Sequence, residues 1–290
     1  MGDQTHDSRP RLQVTAHSQV ARRGDADRGA DALLRLQRDA GNAAVSELLG
    51  GVPAVVAREE ATASSGAPAA QVSGKEIDGY LIANTYLKPY VEARMKGGAK
   101  AENAVQKESA ADFKKAWVPY AMGSINPQTG KNYTRAEAEA KEPSIRGFFD
   151  GSTVHVHESR GDAGTTLHES LHFYSDPGFR EAVGYAFNEG VTEHFTHKVA
   201  DANKIAREYH FFQEYFAVDR VVMVTSEQKL AEAYFKNDLS GLAAGVDAAH
   251  GEGMWDRFMA LMQDNKPQDA GNLIRNVPTT KATKKPPDKK

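Results

Sequence analysis

The stretch TTLHESLHFYSDPG, residues 165–178, carries two histidines four positions apart and a glutamate directly after the first. On a helix, positions i and i+4 share one face with Cβ atoms about 5–6 Å apart. His168 and His172 can therefore aim their imidazoles at one point, as a single zinc ion with Zn–N bonds of about 2.0–2.1 Å requires. Glu169 projects about 100° round the helix from His168, beside such an ion and not onto it. There it can take a proton from an activated water, the role of the glutamate in an H-E-x-x-H pattern. A helix here is supported by Asp162 or Thr165 as the cap, by Leu167 and Leu171 as an apolar stripe on the other face, and by Asp176-Pro177-Gly178 as the stop.

A catalytic zinc needs a third protein ligand and an open position. In NEGVTEHFTHKVA, residues 188–200, Glu189 and Glu193 again lie four apart. A helix–turn–helix path can return this second helix beside the first. Glu189 is then a ligand, and Glu193, one turn on, can accept a hydrogen bond from the outer ring nitrogen of His168 and fix its tautomer. Glu193 and His194 are the alternatives for the third ligand.

HESLH at 168–172 followed by NEGVTE at 188–193 resembles the gluzincin metallopeptidases, the thermolysin-like branch of the zincins. The resemblance covers about residues 147–200. It implies Zn2+ held by His168, His172 and Glu189, Glu169 as general base, Glu193 behind the ligands, and a peptide or protein substrate. It also implies a downstream His or Tyr that stabilises the oxyanion, for which REYHFFQEY offers Tyr209, His210 and Tyr215. The strand TVHVHES matches the family's edge strand, which pairs with extended substrate. The metzincin branch fits less well, because Ser175 and Gly178 stand where its Gly and His would be.

The elements that must position these residues can be read from patterning. The expected fold class is α+β, predominantly helical, a zincin-like domain with a short edge sheet and an active-site helix. Residues 76–96 and 101–117 read as two amphipathic helices, SINPQTGKNY as a loop and TRAEAEAKE as a short helix ended by Pro143. Together residues 76–145 form a helical lobe that stands alone or packs on residues 146–277. GFFDGSTVHVHES is the clearest strand, Val154 and Val156 alternating with His155 and His157 on a polar face away from the metal.

Composition narrows the chemistry. The 290-residue chain has no cysteine, which excludes disulfides, thiolate ligands and a cysteine nucleophile. Its net charge of -3 gives no global reason to expect a nucleic-acid partner. No apolar run approaches the roughly 18 residues of a membrane span, and the polar start lacks a secretory signal, so a cytoplasmic location in the producing cell is expected.

Residues 1–75 read as a leader with one helix and a linker, and residues 278–290 as a basic, solvated tail. Within the leader, LLRLQRDAGNAAVSELL resembles an element near the N-termini of bacterial proteins associated with extracellular contractile injection systems. That resemblance implies loading into such a machine as an effector or toxin. The rival readings are an inactive zincin-like binding or structural cargo, and a metal-assisted hydrolase of non-peptide substrates.

Overall fold

The computed structural model describes residues 72–126, 129–207 and 210–276, so the leader helix, most of the linker and the basic tail lie outside the described residues. The described chain is mostly helical with a small sheet, an α+β architecture. It opens with α1 (Gly74–Ala83), α2 (Lys88–Lys96) and α3 (Ala101–Ala104), then strand β1 (Val105–Glu108). The expected single helix over 76–96 breaks at Asn84, whose Oδ1 accepts from the amides of Tyr86 and Leu87 at 3.0 and 3.2 Å. An asparagine side chain that bonds the backbone ahead of it competes with helix propagation. The expected helix over 101–117 likewise divides into α3, β1 and α4 (Ala110–Met122), which Ser109 caps.

Next come a hairpin of β2 (Ile125–Asn126) and β3 (Lys131–Asn132), α5 (Arg135–Lys141), β4 (Gly147–Phe149) and β5 (Val154–His157). The main sheet has the order β1-β5-β4, with β5 parallel to β1 and antiparallel to β4. TVHVHES is therefore the central strand and cannot pair with a substrate at an edge; β4 is the edge strand on that side. His155 and His157 are also not on a polar face, because all four residues of β5 are buried. Sheet neighbours on both edges, with α4 and α6 packed on the strand, leave neither face to water. His155 is satisfied between Glu108 Oε1 at 2.9 Å and Asp150 Oδ2 at 3.1 Å, and His157 Nδ1 accepts from the Ser159 and Arg160 amides at 3.2 Å each.

The remaining helices are α6 (Ala163–Tyr174), α7 (Phe179–Val183), α8 (Tyr185–Asn203), α9 (Phe212–Val224), α10 (Glu227–Lys236), α11 (Ser240–His250), α12 (Met254–Gln263) and α13 (Pro267–Asn276). None of the described helices is long and apolar enough to cross a membrane.

One core joins Ile77, Leu81 and Val91 of the first helices to Leu167 and Leu171 of α6, Phe187, Val191 and Phe195 of α8, Val218 of α9 and Phe258 of α12. The first helices of residues 76–145 thus pack against the helices from α6 onward, and this stretch does not stand alone. A second, smaller cluster of Phe113, Trp117, Val118, Ala121, Ala138 and Phe148 holds α4 and α5 to β4. Tyr174, at the end of α6, donates to Asp78 Oδ1 at 2.6 Å, and the Ala101 amide donates to both Tyr174 Oη and Asp78 Oδ1. This buried knot ties α1 and α3 to the helix that carries both histidines.

Candidate metal centre

Helix α6 begins where expected: Asp162 Oδ1 accepts from the Thr165 amide at 2.7 Å. Leu167 and Leu171 are fully buried in the core, which turns His168 and His172 toward α8. Helix α8 packs on α6 and presents Glu189 from its second turn. Gly190 permits this position, because a Cβ there would lie 2.5 Å from the Glu214 carbonyl oxygen of α9.

The side chains converge as the spacing predicts. His168 Nε2 and His172 Nε2 lie 3.2 and 3.3 Å from the same atom, Glu189 Oε2. Bonds of about 2.0–2.1 Å at the tetrahedral angle place neighbouring ligand atoms about 3.3 Å apart, so both separations match two edges of a zinc tetrahedron. The three residues form a largely buried group that could hold a metal ion, with donor atoms within 4.8 Å of one another. Two imidazoles and a carboxylate, with no thiolate, form a donor set found in catalytic zinc sites and in other divalent-metal sites.

Each histidine also has a partner on its outer nitrogen. His168 Nδ1 donates to Glu193 Oε2 at 3.1 Å, and His197 Nε2 donates to Glu193 Oε1 at 2.9 Å. Glu193 therefore stands behind His168, on the side away from Glu189, and is not the third ligand. His194 is not one either: it is buried beside Phe195 and Tyr215, with its Nε2 3.9 Å from Glu227. His172 Nδ1 lies 3.3 Å from Thr192 Oγ1, which itself donates to the Asn188 carbonyl and lies 2.7 Å from Tyr234 Oη. Thr192 can accept from Nδ1 once Nε2 is committed to a metal, which fixes the tautomer. Its place three residues after Glu189 puts it on the same helical face, a spacing that could have found it.

Burial sets the electrostatics. It opposes a charged His168, but the Glu189 and Glu193 carboxylates hold that imidazole up at about 10. Burial pushes Glu189 upward, and His172 and His168 bring it well below the ordinary carboxylate range. Burial likewise raises Glu193, and its bonds to His168 and His197 lower it to about 2. Glu169 moves the other way: burial raises it, against the pull of His168 and His172. A carboxylate raised above its ordinary value is a stronger proton acceptor.

His168, Glu169 and Glu193 line a cleft of about 320 Å³ together with Ile145, Arg146 and Gly147. Gly147 lets β4 lie close, since a Cβ would come within 2.7 Å of Thr165 Cγ2 and 3.2 Å of Glu169 Cγ. Phe211 stacks on His168 with ring centroids 5.5 Å apart, from a left-handed backbone at φ 50. Tyr185, one turn before Glu189, also lines the cleft, and the Arg180 guanidinium sits 5.6 Å from its ring centroid. Of Phe211, Tyr185 and Arg180, only Tyr185 carries a spacing signal in the sequence, four residues before Glu189.

Of the residues proposed for the oxyanion, Tyr209 lies outside the described residues. His210 is exposed at the cleft, and its main-chain N–H donates to Glu193 Oε1 at 3.4 Å. Tyr215 stacks on His197 at 4.4 Å, behind Glu193. No protein-family model, curated protein or solved structure matches this chain.

Proposed function

We propose that this chain is a zinc-dependent metallopeptidase of zincin type. The observation that carries the reading is the convergence of His168 Nε2 and His172 Nε2 on one oxygen of Glu189, at 3.2 and 3.3 Å, with Glu169 beside them in an open cleft. Zinc bound there supplies Lewis acidity toward a carbonyl and an activated water. Glu169 accepts a proton from that water as its oxygen bonds the carbonyl carbon, then passes the proton to the amine nitrogen as the C–N bond breaks. Glu193 and Thr192 hold the two imidazoles in the tautomer that leaves Nε2 free. The edge of β4 orients an extended peptide by main-chain hydrogen bonds. His210 and Tyr185 are the donors we assign to the developing oxyanion.

Zinc content and peptide hydrolysis, measured together on single variants, test the reading. Glu169→Gln keeps about one zinc per chain and loses about 10²–10⁴ in kcat. His210→Phe and Tyr185→Phe keep zinc too, and the true oxyanion donor loses about 10²–10³ in kcat. Undiminished hydrolysis by Glu169→Gln removes Glu169 as the base, and turnover of esters or phosphates but no peptide favours a non-peptide hydrolase.

A further inference from the structure

One cation at the rim of the metal cleft has no carboxylate to answer it. The guanidinium carbon of Arg180, on α7, lies 5.6 Å from the ring centroid of Tyr185, a residue of the cleft wall. Arg180 also donates to the hydroxyl of Tyr120 on α4. Tyr120 in turn stacks on Phe148 of β4 with ring centroids 4.8 Å apart, next to Gly147, where the strand lies against Glu169. Glu169 and Glu189 both feel the charge of Arg180. Yet among the described residues Arg180 forms no ion pair, and it is exposed.

The metal ligands do not need this cation. A divalent metal offsets the Glu189 carboxylate by itself, and a nearby cation lowers the proton affinity of Glu169, against the direction in which burial moves it. A guanidinium with five N–H donors in a planar fork, left without a carboxylate, is suited to take one bidentately. Burial raises Tyr120 and Tyr185 above the ordinary phenol value, so both stay protonated beside it. Tyr185 stands one turn before Glu189, about 6 Å along the axis. Arg180, one ring contact from Tyr185, is then within about two or three residues of extended chain from the reacting bond, at about 3.3 Å each.

We infer that Arg180 receives a carboxylate of the substrate about two or three residues from the bond cleaved, with Tyr120 holding the guanidinium in place. The inference rests on the peptidase reading and deepens it. The substrate class it names is a peptide whose free C-terminal acid, or whose Asp or Glu side chain, reaches this rim.

The test uses peptides of one sequence, ended as the free acid or the amide at successive distances past the scissile bond. A second, amidated series carries Glu or Gln moved through the positions on both sides of that bond. Cleavage by the zinc-loaded full chain is measured alongside equilibrium binding of the same peptides to Glu169→Gln. At one position, acid over amide or Glu over Gln should raise kcat/KM about ten- to hundredfold, and the series that responds identifies the source of the carboxylate. Arg180→Gln should bring that ratio close to one, and Arg180→Lys should keep part of it. Zinc content and melting temperature are read on each variant; if Arg180→Gln does not fold or hold zinc, Arg180→Lys supplies the ratio. A packing role for Arg180 would slow all peptides alike and leave the ratio unchanged, which overturns the inference. Equal cleavage of all forms by the parent chain also overturns it and leaves the peptidase reading standing. If no peptide is cleaved the peptidase reading fails, and the binding series decides alone: equal affinity for acid and amide and for Glu and Gln overturns the carboxylate site.

Discussion

Glu193 accepts from three donors at once, His168 Nδ1, His197 Nε2 and the main-chain N–H of His210. A carboxylate so committed fixes the ring of His168, and loss of an outer partner of this kind costs about 10–100-fold in metal affinity. Glu193→Gln is expected to weaken zinc by that factor in a competitive chelator titration while the fold persists; unchanged affinity would leave Glu193 a packing residue. At this scale the sequence was most legible. His168, Glu169, His172, Glu189 and Glu193 are related by i, i+1 and i+4 spacings, and helical geometry converts those directly into shared faces. Phe211 and Arg180 were not legible, because Phe211 reaches the cleft from a loop and Arg180 reaches only the cleft residue Tyr185, from another helix, and no period in the sequence connects either to α6.

The turn between β4 and β5 shows how an element holds the site. Burial raises the Asp150 carboxyl, but the Thr153 amide, the His155 imidazole and the Ser152 amide and hydroxyl more than offset it and lower it from 3.8 to about 2. The unfolded chain then binds this proton more readily than the folded one, so the turn's contribution is complete above pH 3.8 and is lost as pH falls toward 2. Asp150→Asn should lower the unfolding temperature at pH 6 and converge on the parent protein near pH 2, read by thermal melts of both chelated proteins. A constant offset across that range would contradict it. Alternation identified β5 as a strand but could not give its place in the sheet. VHVH reads as one polar face, whereas burial on both sides depends on β1, a four-residue strand whose polar sequence, VQKE, carries no signal. The break at Asn84 was missed for a related reason: a single side-chain bond to the next turn outweighed a helical period that runs through it.

Among the described residues, the core begins at Val72 and runs to Ile274. If residues 1–75 are a loading segment for a contractile injection system, deletion of residues 1–64 leaves zinc content and melting temperature within error of the full chain. The same deletion abolishes co-purification with injection particles from a producing strain. Loss of zinc on deletion would make the leader part of the catalytic fold, and unchanged co-purification would exclude it as the signal.

The central claim is that His168, His172 and Glu189 together hold one zinc. The direct measurement is metal content by mass spectrometry of the purified chain beside His172→Ala and Glu189→Ala, each shown to be folded by circular dichroism. About one zinc per parent chain is expected, and a small fraction of that in either variant, since a catalytic site keeps only three protein ligands. Full zinc occupancy in a folded variant would remove that residue from the ligand set, and a parent chain that takes up no zinc when supplied with it would rule out a zinc site here.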